Sequence, residues 1–202
     1  MPLSPGVAES RGPFAPLAST SKELDALMAR LVRQWGSIRA GNLASFAGYF
    51  CRCLGFSQIP RDPVALLPRL GVRVEPALLT RGVKAAWCRT GKEYLISYSR
   101  HLAGKVSLAI WHEFFEILAE NPQHPLRFAP HDQERLASLF AVYVMMPEEE
   151  ARRQAAELGH PERTNKSRVL AARFGVSAAA MRFRLRQLGL EHPSDAAQRA
   201  VL

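Results

Sequence analysis

Apolar positions recur with a helical period over most of this chain. Leu24, Leu27, Met28, Leu31 and Val32 fall at three- and four-residue steps, which predicts a helix from Ser21 to about Trp35. A second helix is predicted from Leu43 to Leu54, closed by Gly55. Asp62 is placed to cap a short helix that begins with Pro63 and ends at Gly71. Then the period changes. Val72–Leu78, Ala85–Arg89 and Tyr94–Tyr98 read as strands, with Thr90-Gly91-Lys92 as the hairpin turn between the last two.

Past Gly104 the helical period returns, in a segment of about 15 residues that must stop near Pro122. The next helix runs from about Asp132 to Met146, stopped by Pro147, and another from Glu148 to Gly159. Two short helices, Thr164–Phe174 and Ser177–Leu188, flank Gly175-Val176. The order of helices, small sheet and helices predicts a helix-dominated α+β fold. Its expected divisions are a disordered, proline-bearing tail (1–20), N-terminal helices (21–58), a core (59–150) and C-terminal helices (151–202).

Composition narrows the class. The longest apolar run, Leu136–Met146, falls well short of the roughly 20 residues of a membrane span, and the N-terminus shows no secretory pattern. Cys51, Cys53 and Cys88 cannot all pair and none forms a CxxC, which points to a reduced, cytoplasmic protein. Cys51 and Cys53 read as packing residues. Secreted, membrane-embedded and disulfide-stapled classes are excluded.

Charge is unevenly spread. Residues 1–105 carry 15 basic and 6 acidic side chains and residues 151–202 carry 10 and 4, whereas 106–150 carry 2 and 8. Basic ends suit nucleic acid or an acidic partner. The acidic centre also holds His112, His124 and His131, and so is where a metal site would lie.

Within Ser107–Glu120 the polar residues are His112, Glu113, Glu116 and Glu120, among Leu108, Ile110, Trp111, Phe114, Phe115 and Leu118. His112, Glu116 and Glu120 are four apart and share one side of the helix, with Glu113 in the neighbouring sector. Two ligands one turn apart, with a carboxylate after the first, is the arrangement of HExxH zinc peptidases, in which the glutamate is the general base. Here the segment reads HEFFE. A third ligand must come from elsewhere: Glu134 on the following helix, with His131 three residues earlier on the expected same face. Whether His131 or His124 joins is not decided by spacing, and a plain solvated acidic face is the competing reading.

Around that helix, YLISYSRHLAGKVSLAIWHEFFEIL resembles the ImmA/IrrE family of metallopeptidases, in which a strand, a short loop and an HExxH helix occur in this order. Downstream, ERLASLFAVYVMMP is similar to the family's ExxANxFAxxLLMP, with Glu134, Ala137, Phe140, Ala141, Met146 and Pro147 in place. IPRDPVALLPRLGVRVEP resembles the opening helix and first strand, and VLAARFGVSAAAMRFRLRQLGL the helix-turn-helix-like tail. The resemblance spans about residues 59–190. It implies a zincin-like metalloendopeptidase core with a small three-stranded sheet, a zinc ion held by His112, Glu116 and Glu134, and Glu113 as the base. The implied substrate is a helix-turn-helix transcriptional repressor, cut in a stress or mobile-element response.

Two departures from the family pattern matter: Glu116 stands where the second histidine belongs, and Ser138 where asparagine is usual. Glutamate is a legitimate zinc ligand, but a second carboxylate lowers the ion's pull on water and favours harder metals such as manganese. On sequence alone, Glu116→His is therefore expected to tighten metal binding. The alternative is a non-catalytic regulator of the same fold that binds a repressor or DNA. Tyr94, Tyr98 and Tyr143 read first as packing residues and second as groups that could steady an oxyanion. Arg182, Arg184 and Arg186 suit weak phosphate contact, since Ala178, Ala179 and Ala180 offer no base-reading groups.

Overall fold

Leu24, Leu27, Met28 and Leu31 are buried along one side of α1 (Lys22–Gln34), the first of eight α-helices among the described residues. The structure is a computed structural model that describes residues 22–91, 93–102, 106–121, 124, 126–158 and 163–191. The expected 1–20 tail, turn residue Lys92 and the helix-flanking Gly104, Pro122 and Gly159 lie outside them.

The core is built on aromatic rings. Phe46 and Phe50 of α2 (Leu43–Cys53) meet Trp111, Phe114 and Phe115 of α4 (Ser107–Ala119) and Phe140 of α5 (Gln133–Met145). Ring centroids stand 5.1–6.5 Å apart, mostly edge-on or tilted, the arrangement that aromatic quadrupoles favour. Ile110, Ile117 and Leu118 are buried as well. Only a narrow stripe of α4 is left to face outward, and it holds His112, Glu113 and Glu116. Packing the rings fixes that stripe.

Asp62 accepts a hydrogen bond from the Val64 amide and starts α3 (Pro63–Leu66), which tightens into a 3₁₀ turn at Leu67–Leu70 and ends at Gly71 with φ +74°. Three strands follow: β1 (Val72–Ala77), β2 (Ala85–Thr90) and β3 (Glu93–Ser99). Their order is β1-β3-β2, with β3 parallel to β1 and antiparallel to β2. Gly91, at φ +63°, supplies the left-handed residue between β2 and β3. Leu78, expected in the first strand, lies beyond it and is 77% exposed, because β1 ends where its partner strand ends. β2 is an edge strand and packs against α4.

α6 (Glu148–Glu157), α7 (Arg163–Phe174) and α8 (Ala178–Gln187) complete the chain. Ser177 caps α8 by accepting from the Ala180 amide at 3.2 Å. Between α7 and α8, Gly175 is at φ +65° and a Cβ there would sit 3.1 Å from the Pro60 side chain, so both backbone and space call for glycine.

Arg184 corrects the sequence reading. It is not a surface cation but only 3% exposed, donating through Nε to the Met146 carbonyl at 2.9 Å and lying 4.7 Å from the Tyr143 ring. Arg61, also buried, donates to the Val144 carbonyl at 2.7 Å. Both satisfy carbonyls at the C-terminal end of α5 that lack intrahelical partners. α8 thus braces α5. Buried apolar residues from Leu24 to Leu188 form one continuous core, and the helix-dominated α+β class stands. Among the described residues, no helix is long and apolar enough to cross a membrane.

Candidate metal centre

One stripe of α4 faces one stripe of α5. Leu108, Ala109, His112 and Glu113 come from the first, and Glu134, Ser138, Ala141 and Val142 from the second, spaced as neighbours on a helix surface. With Gly82–Ala85 as a wall, they enclose an open cleft of about 490 Å³.

At its mouth, His112 Nε2 lies 3.8 Å from Glu116 Oε1 and 3.4 Å from Glu134 Oε1. One donor atom from each of the three residues falls within 4.8 Å of the others. A tetrahedral zinc site with bonds of about 2.0–2.2 Å separates its donors by roughly 3.3–3.6 Å. The two separations to Nε2 lie at or just beyond that range and all three donors lie within 4.8 Å of one another, so a divalent ion would draw them together. One imidazole and two carboxylates suit zinc or manganese. His112 and Glu116 are largely shielded, while the Glu134 side chain is 80% exposed and can swing to adjust.

Two residues orient these donors. Ser138 Oγ lies 3.2 Å from His112 Nδ1; with the proton on Nδ1, the ring donates to the serine and keeps the Nε2 lone pair for a metal. Ser138, a departure from the family pattern, thereby gains a role. The Trp87 indole on β2 donates to Glu116 Oε2 at 3.1 Å. Sequence reasoning missed Trp87, which is 29 positions from its partner and belongs to no local motif.

Glu113 shares the cleft. Burial, and then the charge of Glu116, push its carboxyl up to about 7; a backbone hydrogen bond from Trp87 opposes this and Glu134 adds to it. A carboxyl whose affinity for protons is raised by folding costs the fold stability as pH rises from about 4.5 through about 7. Water on its open side screens that cost to on the order of 1 kcal/mol, or about 2–4 °C in Tm for a chain this size. In chelator-treated protein, Glu113→Gln is therefore expected to melt above wild type at pH 8, with the gap closing by pH 4. Thermal melts across that range check it, and a pH-independent gap would show the carboxyl unperturbed.

The other expected groups lie elsewhere. His131 sits in a 3₁₀ turn (Pro130–Asp132) ahead of α5 and is exposed, so it does not share a helix face with Glu134. His124 and Glu120 also lie outside the donor group. No tyrosine lines the cleft: Tyr94 packs on Trp87 and Tyr143 lies beneath Arg184.

Residues 110–186 match the family described as Peptidase_M78, the IrrE N-terminal-like domain. That match bears out the resemblance to the ImmA/IrrE family over those residues. Among solved structures, one described as a Mycobacterium tuberculosis transcriptional regulator shares the fold, with TM-score 0.52 and 17% identity. The alignment covers 81% of this chain and 62% of that one. No curated protein matches the sequence.

Proposed function

We propose that this IrrE-like chain is a metal-dependent endopeptidase in which His112, Glu116 and Glu134 hold a divalent ion and Glu113 is the general base. The observation that carries this is the convergence of the three donors beside Glu113 at the mouth of a cleft, within the matched segment. The ion, zinc or manganese, would supply Lewis-acid polarisation. Glu113 takes the proton of the attacking water and returns it to the leaving amine. Leu108, Ala109, Ala141 and Val142 give the cleft an apolar lining that suits a peptide side chain. Edge strand β2, beside the cleft, suits an extended substrate backbone.

The proposed substrate is a helix-turn-helix repressor in a stress or mobile-element response, inside a cytoplasm whose reducing conditions suit three free thiols. Any DNA contact through Arg182 and Arg186 of α8 is nonspecific. A second reading, a regulator that binds a repressor without cutting it, draws on the HEFFE departure. Incubating the protein with a neighbouring helix-turn-helix repressor, loaded with zinc or manganese and then chelated, separates the two. Metal-dependent cleavage supports the peptidase; a stable complex with intact repressor supports the regulator.

A further inference from the structure

We infer that Trp87 is a positioning residue that holds Glu116 as a one-oxygen metal ligand, and that Trp87 and Glu116 form a matched pair. This rests on the metal reading above. Glu116 turns Oε1 toward His112 Nε2 at 3.8 Å, while Oε2 accepts the Trp87 indole N–H at 3.1 Å. With one oxygen held by the indole, the carboxylate presents the other. A one-oxygen contact keeps the coordination number low.

Trp87 is itself well held. Its backbone pairs opposite Ile96 in the β2–β3 ladder, and its ring lies 6.2 Å from that of Tyr94. The edge strand therefore brings one rigidly held donor to the ligand carboxylate.

The pairing also follows from donor chemistry. An indole N–H donates and cannot accept. A carboxylate oxygen is a suitable partner for it. An imidazole that ligates through one nitrogen carries a proton on the other, so the indole would face a second donor. The tertiary contact thus reverses the expectation from sequence: Glu116→His alone weakens the site, although it adds a nitrogen ligand, because Trp87 opposes it.

The test is a cycle of four full-length proteins: wild type, Trp87→Phe, Glu116→His and the double variant. Zinc affinity is measured by competition with a chromophoric chelator, and the visible spectrum is recorded with cobalt. Trp87→Phe should keep the ring packing yet weaken zinc binding about 10–100-fold, the usual effect of losing an outer-shell partner. Its cobalt absorption should fall as the freed carboxylate adds a second contact. In the Glu116→His background, Trp87→Phe should instead tighten binding. Trp87→His, which restores an N–H donor, should bind zinc more tightly than Trp87→Phe and serves as the check should the phenylalanine variant fold poorly. Wild-type affinity and spectrum in Trp87→Phe, additive effects in the cycle, or no gain from Trp87→His would overturn the pairing while leaving the metal site intact. No metal uptake by wild type would overturn the metal reading and this role with it.

Discussion

Replacing Glu113 with glutamine is expected to abolish peptide cleavage while metal content stays at wild-type level. Glu113 follows His112 directly on α4 and lines the same cleft, yet lies outside the three-donor group. It can reach a water in the cleft without ligating the ion. The amide keeps the shape of the side chain but cannot take a proton. Removing a positioned general base typically costs about 10²–10⁴ in rate. Cleavage of a candidate repressor should be timed with metal quantified in the same preparation. A wild-type rate from Glu113→Gln would remove this residue from the chemistry; lost cleavage together with lost metal would make it a ligand instead.

The largest binding effect is expected from His112→Ala, which should take metal content from about one ion per chain to none. His112 is the sole nitrogen donor of the group, and its Nε2 lies close to both carboxylates. Without it, Glu116, still held by Trp87, and the exposed Glu134 face each other as two like charges with no nitrogen donor between them. The loss should exceed the roughly 10–100-fold cost of removing an outer-shell partner. The ring is partly exposed and lies on the solvent stripe of α4, so its removal should leave the aromatic core and the melting temperature nearly unchanged. Metal analysis of both proteins, purified without chelator and again after reloading, gives the result. Equal content in the two would show that the ion is held elsewhere.

The proposed site carries more negative charge than a His-His-Glu centre. Two carboxylates weaken an ion's pull on water, and the indole of Trp87 offsets part of that by drawing charge from Glu116 without adding a positive group. Ser138 acts on His112 in another way, holding its second nitrogen and so fixing the tautomer and ring orientation. These two contacts explain how a chain that departs from the HExxH pattern can still keep its donors aimed at one point.

What the sequence determined is the part governed by short-range geometry. Four-residue spacing put His112 and Glu116 on one side of a helix, Gly91 marked the β2–β3 turn, and Asp62 with Pro63 marked the start of α3. Each depends on a few neighbouring backbone angles, which local residue types dictate. Glu134 was reachable only by combining motif order with the family resemblance, because its place beside His112 depends on how α5 lies against α4. The tertiary structure alone decided the rest. Packing of Phe46, Phe50 and Phe140 against the rings of α4 sets the stripe that faces the cleft; from there Trp87 reaches Glu116 and Ser138 reaches His112. The same packing turned Arg184 inward to the end of α5, and the start of α5 at Gln133 left His131 outside. Such partners are chosen by which faces meet when the core closes, and periodicity along one helix carries no information about the helix or strand across from it.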